Sequence, residues 1–172
     1  MGLVLLTTLS GAGRATSFVL ENPRIAPVEV VQVVELPINL QDAVLSETKK
    51  GYVLKCLLSN NSDSRILGVD YLLLLIDSNN TTRAIIDGTE DLKLERNASK
   101  SLISRKPLHI EVGDGYRLIL IPQRVFGTDS FWEVLNARKV LEKYASGDYS
   151  LKPEVARVTN LVDTPIGGKV HR

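Results

Sequence analysis

Hydrophobic residues in this chain recur mostly at every second position, in short runs separated by small polar residues, and this pattern predicts strands. Val28-Glu29-Val30-Val31-Gln32-Val33-Val34 is β-branched almost throughout and predicts a first strand. Pro37 ends it, since proline cannot donate to a ladder. Asn39–Lys50 is polar and reads as a connection, with Ala43-Val44-Leu45 as a short edge strand. Gly51–Ser59 alternates through Tyr52, Leu54, Cys56 and Leu58, and Asn60-Asn61-Ser62-Asp63-Ser64 turns it into Ile66–Ile76. In Leu72-Leu73-Leu74-Leu75-Ile76 the alternation fails, so either both faces of a strand are covered or the segment is helical. Its length and its flanks, Gly68 and Asp77-Ser78-Asn79-Asn80, favour the strand.

Arg83–Asp87 predicts a short strand closed by Asp87-Gly88, and Leu92–Arg96 alternates before Asn97-Ala98-Ser99 turns toward Leu102 and Ile103. Leu108, Ile110 and Val112 alternate up to Gly113-Asp114-Gly115, and Tyr116–Ile121 returns, which predicts an antiparallel hairpin. Ser130-Phe131-Trp132-Glu133 has the form of a capping box opening a helix. Apolar residues at Phe131, Val134, Leu135, Leu141 and Tyr144 share one helical face, Lys143 suits the last turn, and Gly147 can cap the end. The resulting organisation is a lead-in over 16–27, an antiparallel β-sandwich over 28–132, an amphipathic helix over 131–146 packed on it, and a polar tail over 147–172 that could add one edge strand.

Length and charge restrict this picture without naming a partner. The 172 residues fit one domain with a real core. The 21 basic and 20 acidic side chains nearly cancel, so no global field steers the chain toward nucleic acid or an anionic membrane. Gly2–Gly13 carries no charge and contains Leu3-Val4-Leu5-Leu6, followed by small residues at Gly13 and Ala15. This predicts a signal peptide or its remnant over 1–15, cut before Thr16, although no Lys or Arg precedes the apolar run. The run is far shorter than the roughly 20 residues a membrane span needs, so no transmembrane segment is expected.

Candidate chemistry is sparse. Cys56 is the single cysteine and sits on the inward-reading parity of its strand, as a small buried apolar residue would. His109 falls on the parity opposite Leu108 and Ile110 and should face solvent. One Cys and two distant His do not make a zinc site, and Asp87, Glu90 and Asp91 lack calcium-loop spacing. Gly11-Ala12-Gly13-Arg14 and Gly113-Asp114-Gly115 lack the continuation of a phosphate loop. The triplets at Asn60, Asn79, Asn80 and Asn97 match glycosylation sequons but use residues that turns also prefer.

The succession Leu57-Leu58-Ser59-Asn60-Asn61-Ser62 through Ile66-Leu67-Gly68-Val69, then Leu94-Glu95-Arg96-Asn97-Ala98-Ser99, then Tyr116–Phe126 before Trp132, resembles exported bacterial immunoglobulin-like domains of unknown function. The resemblance spans 28–132 at the level of fold, with Arg96-Asn97-Ala98 standing where such domains carry a Pro-Gly-Glu-like turn. It implies an antiparallel immunoglobulin-like β-sandwich, and together with the helix predicted above the expected fold class is mainly β with one C-terminal α-helix. It also implies a non-enzymatic module that binds or spaces other proteins.

The expected function is therefore a protein-interaction or structural module, periplasmic or secreted, such as a subunit of an envelope assembly, with a cytoplasmic location as the alternative. A partner protein would meet an exposed sheet edge or the helix, with Phe131 and Trp132 as candidate interaction anchors if exposed and as core residues otherwise. A small-molecule or carbohydrate carrier with a pocket between sheet and helix is the second reading, and an enzyme the third. No cofactor, metal or nucleic-acid partner is expected.

Overall fold

Along Gly51–Asn60 the side chains of Tyr52, Leu54, Cys56 and Leu58 are all buried while their odd-numbered neighbours are more exposed, as a strand with one covered face requires. The same rule shapes the rest of the computed structural model, which describes residues 23–159. The elements are β1 (Ile25–Pro27), β2 (Glu29–Val30), β3 (Ile38–Thr48), β4 (Gly51–Asn60), β5 (Ile66–Ile76), β6 (Thr82–Leu94), β7 (Ser99–Ile103), β8 (Arg117–Gly127), β9 (Ser130–Val134), α1 (Ala137–Ala145) and β10 (Val155–Thr159). They form two antiparallel sheets: sheet 1 in the order β1-β3-β4-β7 and sheet 2 in the order β10-β9-β8-β5-β6, with the short β2 laid parallel to β8. The chain is mainly β, and buried residues of both sheets join in one hydrophobic cluster, an arrangement compatible with a β-sandwich.

Strand β5 explains its own unbroken apolar run. Every residue from Leu72 to Ile76 is buried, and α1 packs over β5 and β8. A nine-residue helix is too short to persist alone in water. Burial of Val140 and Leu141, worth roughly 2 kcal/mol each, offsets that deficit and holds α1 on the sheet.

Several elements differ from the sequence expectations, each for a local reason. In Val28–Val34 only Glu29 and Val30 pair, because the chain leaves sheet 1 at Pro27 and joins β8 of sheet 2 two residues later. Val28, Val31 and Val33 are buried while Val34 is 91% exposed, so the β-branched run reports burial during a crossing, not one ladder. The segment read as a polar connection, Asn39–Lys50, belongs largely to β3. There Asp42, at φ 51°, sits in a bulge between Gln41 and Val44 that interrupts the alternation. Arg83–Asp87 and Leu92–Arg96 are not two strands: β6 runs unbroken through Gly88.

The hairpin expected from Leu108–Val112 and Tyr116–Ile121 does not form. Gly113–Tyr116 does make a tight turn, with Gly115 at φ 75°. Leu108, however, exchanges both backbone hydrogen bonds with Tyr52 of β4, while both edges of β8 are taken, one by β5 and the other shared by β2 and β9. The helix expected from Phe131 begins instead at Ala137. Ser130–Val134 is strand β9, with Ser130, Trp132 and Val134 buried and Phe131 and Glu133 less so, a period-two pattern that the capping-box spacing also fits. Sheet 2 thus continues past Trp132, and β10 adds the edge strand read as one option for the tail. The predicted signal segment lies outside the described residues.

Candidate functional site

The outer face of sheet 2 is covered by α1 at one end only. At the other, strand register places side chains in two transverse rows: Thr89, Asp70, Arg124 and Glu133, and beside them Asp91, Gly68, Phe126, Phe131 and Val158. Two bulges set these rows, one at Leu67 in β5 and one at Gln123 in β8, next to Pro122. A proline has no N–H for the ladder and is accommodated in a sheet at such irregularities. Bulges re-aim side chains, and here they bring an acid and a base from distant parts of the chain into adjacent positions.

Between the rows lies a groove of about 360 Å³ lined by Leu67, Gly68, Asp70, Asp91, Arg124 and Phe126, among others. Gly68 forms part of its floor: a Cβ there would lie 3.3 Å from the Glu90 carbonyl oxygen and 3.4 Å from Phe126 Cδ2. Asp70 is only 5% exposed. Its Oδ2 is 2.7 Å from Arg124 Nη2, but Oδ1 and the Arg124 Nε are both buried without a hydrogen-bond partner. A buried carboxylate normally fills its acceptor capacity, so this half-satisfied pair is the most unusual polar feature among the described residues. Beside it, the rings of Phe126 and Phe131 lie 5.3 Å apart at 37°.

The two candidate anchors part company in the structure. Phe131 is half-buried and stacks at the rim of the groove. Trp132 points the other way, is 4% exposed, and carries the Arg157 guanidinium 5.0 Å from its ring centroid, so it is a packed residue and not a surface anchor. Cys56 is buried, and burial, reinforced by the Glu90 charge, pushes its thiol up to about 11, which keeps it protonated and unreactive. His109 is exposed. Asp87, Glu90 and Asp91 do not converge: Asp87 and Asp91 take outward positions on β6 while Glu90 takes an inward one, and among the described residues no three acidic, Cys or His side chains cluster to hold a metal ion. A larger hollow of about 480 Å³ at the start of α1 is lined by Gln123, Arg138, Lys139 and Glu154 among others, and the Asn136 side chain there is committed to the Lys152 carbonyl and the Glu154 N–H.

Sequence reasoning missed Asp70 and Arg124. The available signal was a lone acid in the apolar run Gly68-Val69-Asp70-Tyr71-Leu72. Its partner depends on register that the bulges shift.

Glu90 has a different role. An inward-pointing charge on the terminal strand of a sheet discourages pairing with another chain. Its burial raises its pKa above the ordinary 4.5, partly opposed by the Arg105 backbone N–H donated to Oε2 at 3.2 Å. A raised carboxyl pKa means that protonation favours the fold: that stabilisation is full below the unfolded value and lost as pH rises through the folded one. Glu90→Gln, which keeps an acceptor for Arg105, is therefore expected to raise the urea midpoint at pH 7. The gain should vanish in urea titrations well below pH 4.5, at about pH 3, where the carboxyl is protonated in both states, and an equal gain at both pH values would refute this account.

Among the described residues no helix is long and apolar enough to cross a membrane. No protein-family model, curated protein or solved structure matches this chain.

Proposed function

We propose that this chain is a non-enzymatic protein-interaction or structural module of immunoglobulin-like type, working in the periplasm or as a secreted protein, for example as a subunit of an envelope assembly. The immunoglobulin-like reading is supported by the strand sets β3-β4-β7 and β9-β8-β5-β6, joined by crossings between sheets after β4, β6 and β7. In that reading β1, β2 and β10 are additions at the margins.

The observation that carries the interaction reading is the uncovered end of the outer face of sheet 2. There the half-satisfied Asp70–Arg124 pair is bordered by Phe126 and Phe131 and by Leu67, which is 40% exposed. A polar centre within an apolar surround is the anatomy of a binding patch, and the proposed occupant is a segment of a partner protein. The carrier alternative would use space between sheet and helix, where Val140 and Leu141 are packed down.

A photoreactive phenylalanine analogue placed at Phe131 in the natively expressed chain should give a discrete adduct with a second, different polypeptide. The same analogue at Lys49, exposed in the turn between β3 and β4, should not. Equal labelling from both positions, no adduct from either, or an adduct only with another copy of this chain would each overturn the reading.

A further inference from the structure

Resting on the interaction reading, we propose that the partner joins sheet 2 as an antiparallel strand added to the free edge of β10, using an extended segment that carries an acidic residue between two apolar ones. Leu135 donates its N–H to the Glu154 carbonyl, and the register continues from there through five consecutive pairs between β9 and β10 without a bulge. In an antiparallel ladder the backbone groups of successive residues point alternately toward the neighbouring strand and away from it. Ala156 and Val158 are therefore bonded to β9, while the N–H and C=O groups of Val155, Arg157 and Thr159 face outward with no strand to meet them among the described residues. Another extended chain supplies the matching donors and acceptors.

The other three sheet edges carry devices that discourage pairing. Strand β1 has three residues and ends in Pro27, which has no N–H to offer. Strand β7 carries Lys100. Strand β6 turns Glu90 inward, and Arg105 donates to both the carboxylate and the carbonyl of Asp91. Val155–Thr159 contains no proline and no lysine. Its one charge, Arg157, is drawn back over β9 instead of across the edge: the guanidinium lies 5.0 Å from the Trp132 ring centroid, and Nη2 is 3.3 Å from Ser130 Oγ.

Register also specifies the occupant. On the outer face Val158, 49% exposed, ends the apolar row that runs through Phe126 and Phe131, and Ala156 lies beside it, so apolar side chains suit the positions across from both. On the opposite face Arg157 stands between Val155 and Thr159, and among the described residues no carboxylate pairs with it. An acid directly across from it in the added strand supplies the missing charge, a favourable cross-strand pair. The same residue disfavours a second copy of this chain. Two β10 strands paired about a twofold axis over 155–159 would set Arg157 opposite its own copy, and like charges directly opposite are destabilising.

The probe is the peptide acetyl-Thr-Val-Glu-Val-Thr-amide, added to the full chain while exchange of the Val155, Arg157 and Thr159 amide hydrogens is followed by NMR. These three should exchange as open amides in the chain alone and become protected, saturably, as peptide is added. Methylating the peptide's Glu nitrogen removes the central donor to Arg157 and should weaken binding by about fivefold or more, the effect of one lost hydrogen bond. Methylating either Val nitrogen, which faces away from β10, should be tolerated. Lys in place of Glu should also bind more weakly, and Arg157→Glu should invert that preference. Tolerance of the methylated Glu, equal binding of the Glu and Lys peptides, or an unchanged preference in folded Arg157→Glu would overturn the proposal. Protection of the three amides without peptide would overturn it too, assigning the edge to the chain's own tail if it survives dilution and to a second copy if it does not. If Phe131 labels a partner but the methylation pattern is absent, the added strand falls and the interaction reading stands. A peptide that adds to β10 in a chain whose Phe131 captures no second polypeptide would keep the strand site and remove the interaction reading.

Discussion

Gly88→Ala is expected to destabilise the protein by about 3 kcal/mol, the upper end for overpacking a core, although it adds one methyl group. Gly88 lies in the middle of β6 directly opposite Tyr71 of β5. Any Cβ at that position would fall inside the Tyr71 ring, against Cζ, Cε2 and Oη. Tyr71 is 3% exposed between the sheets, so the ring cannot swing into solvent to make room. Backbone strain is not the cause, because Gly88 is not among the positive-φ glycines. Urea unfolding should show a lower midpoint with an unchanged slope. In a Tyr71→Leu background the same substitution should cost less than about 1 kcal/mol, since the offending ring is gone. Equal cost in both backgrounds would show that the ring is not responsible.

The same glycine shows where the sequence was readable and where it was not. Asp87-Gly88 has the composition of a turn, but the residue is small because Tyr71 lies across it, and that contact depends on pairing with a distant strand. Strands with uninterrupted alternation, above all β4, could be read directly, and the buried run of β5 could be read once cover on both faces was allowed. Alternation failed at Asp42, Leu67 and Gln123, because each bulge inserts a residue and reverses the parity beyond it. Ser130-Phe131-Trp132-Glu133 was ambiguous in a different way, since a four-residue capping signature and a strand starting with a buried Ser are compatible with the same letters. The candidate site inherits these difficulties. Phe131 could be picked out as an aromatic, whereas the Asp70–Arg124 pair exists only after two bulges fix which positions of β5 and β8 are opposite.

Arg124→Met is expected to cost about 2 kcal/mol, below the 3–5 kcal/mol typical when a fully buried pair is broken, because the Arg124 side chain is 43% exposed and water can partly replace it. The loss arises from Asp70, whose nearly inaccessible carboxylate would then have neither atom paired. If the pair served stability alone, replacing both members by apolar residues should be clearly harmful. The opposite is expected: Asp70→Leu combined with Arg124→Met should restore most of the stability, because the desolvation cost of the two charged groups disappears with them. A double variant at least as unstable as the single one would show that the ion pair is a structural requirement of sheet 2. A double variant that folds normally but no longer gives the adduct from the photoreactive analogue at Phe131 would separate the two roles. The fold would then be shown not to need the pair, leaving recognition at the open end of sheet 2 as the reason for keeping a half-satisfied carboxylate and guanidinium in an otherwise apolar strand pair.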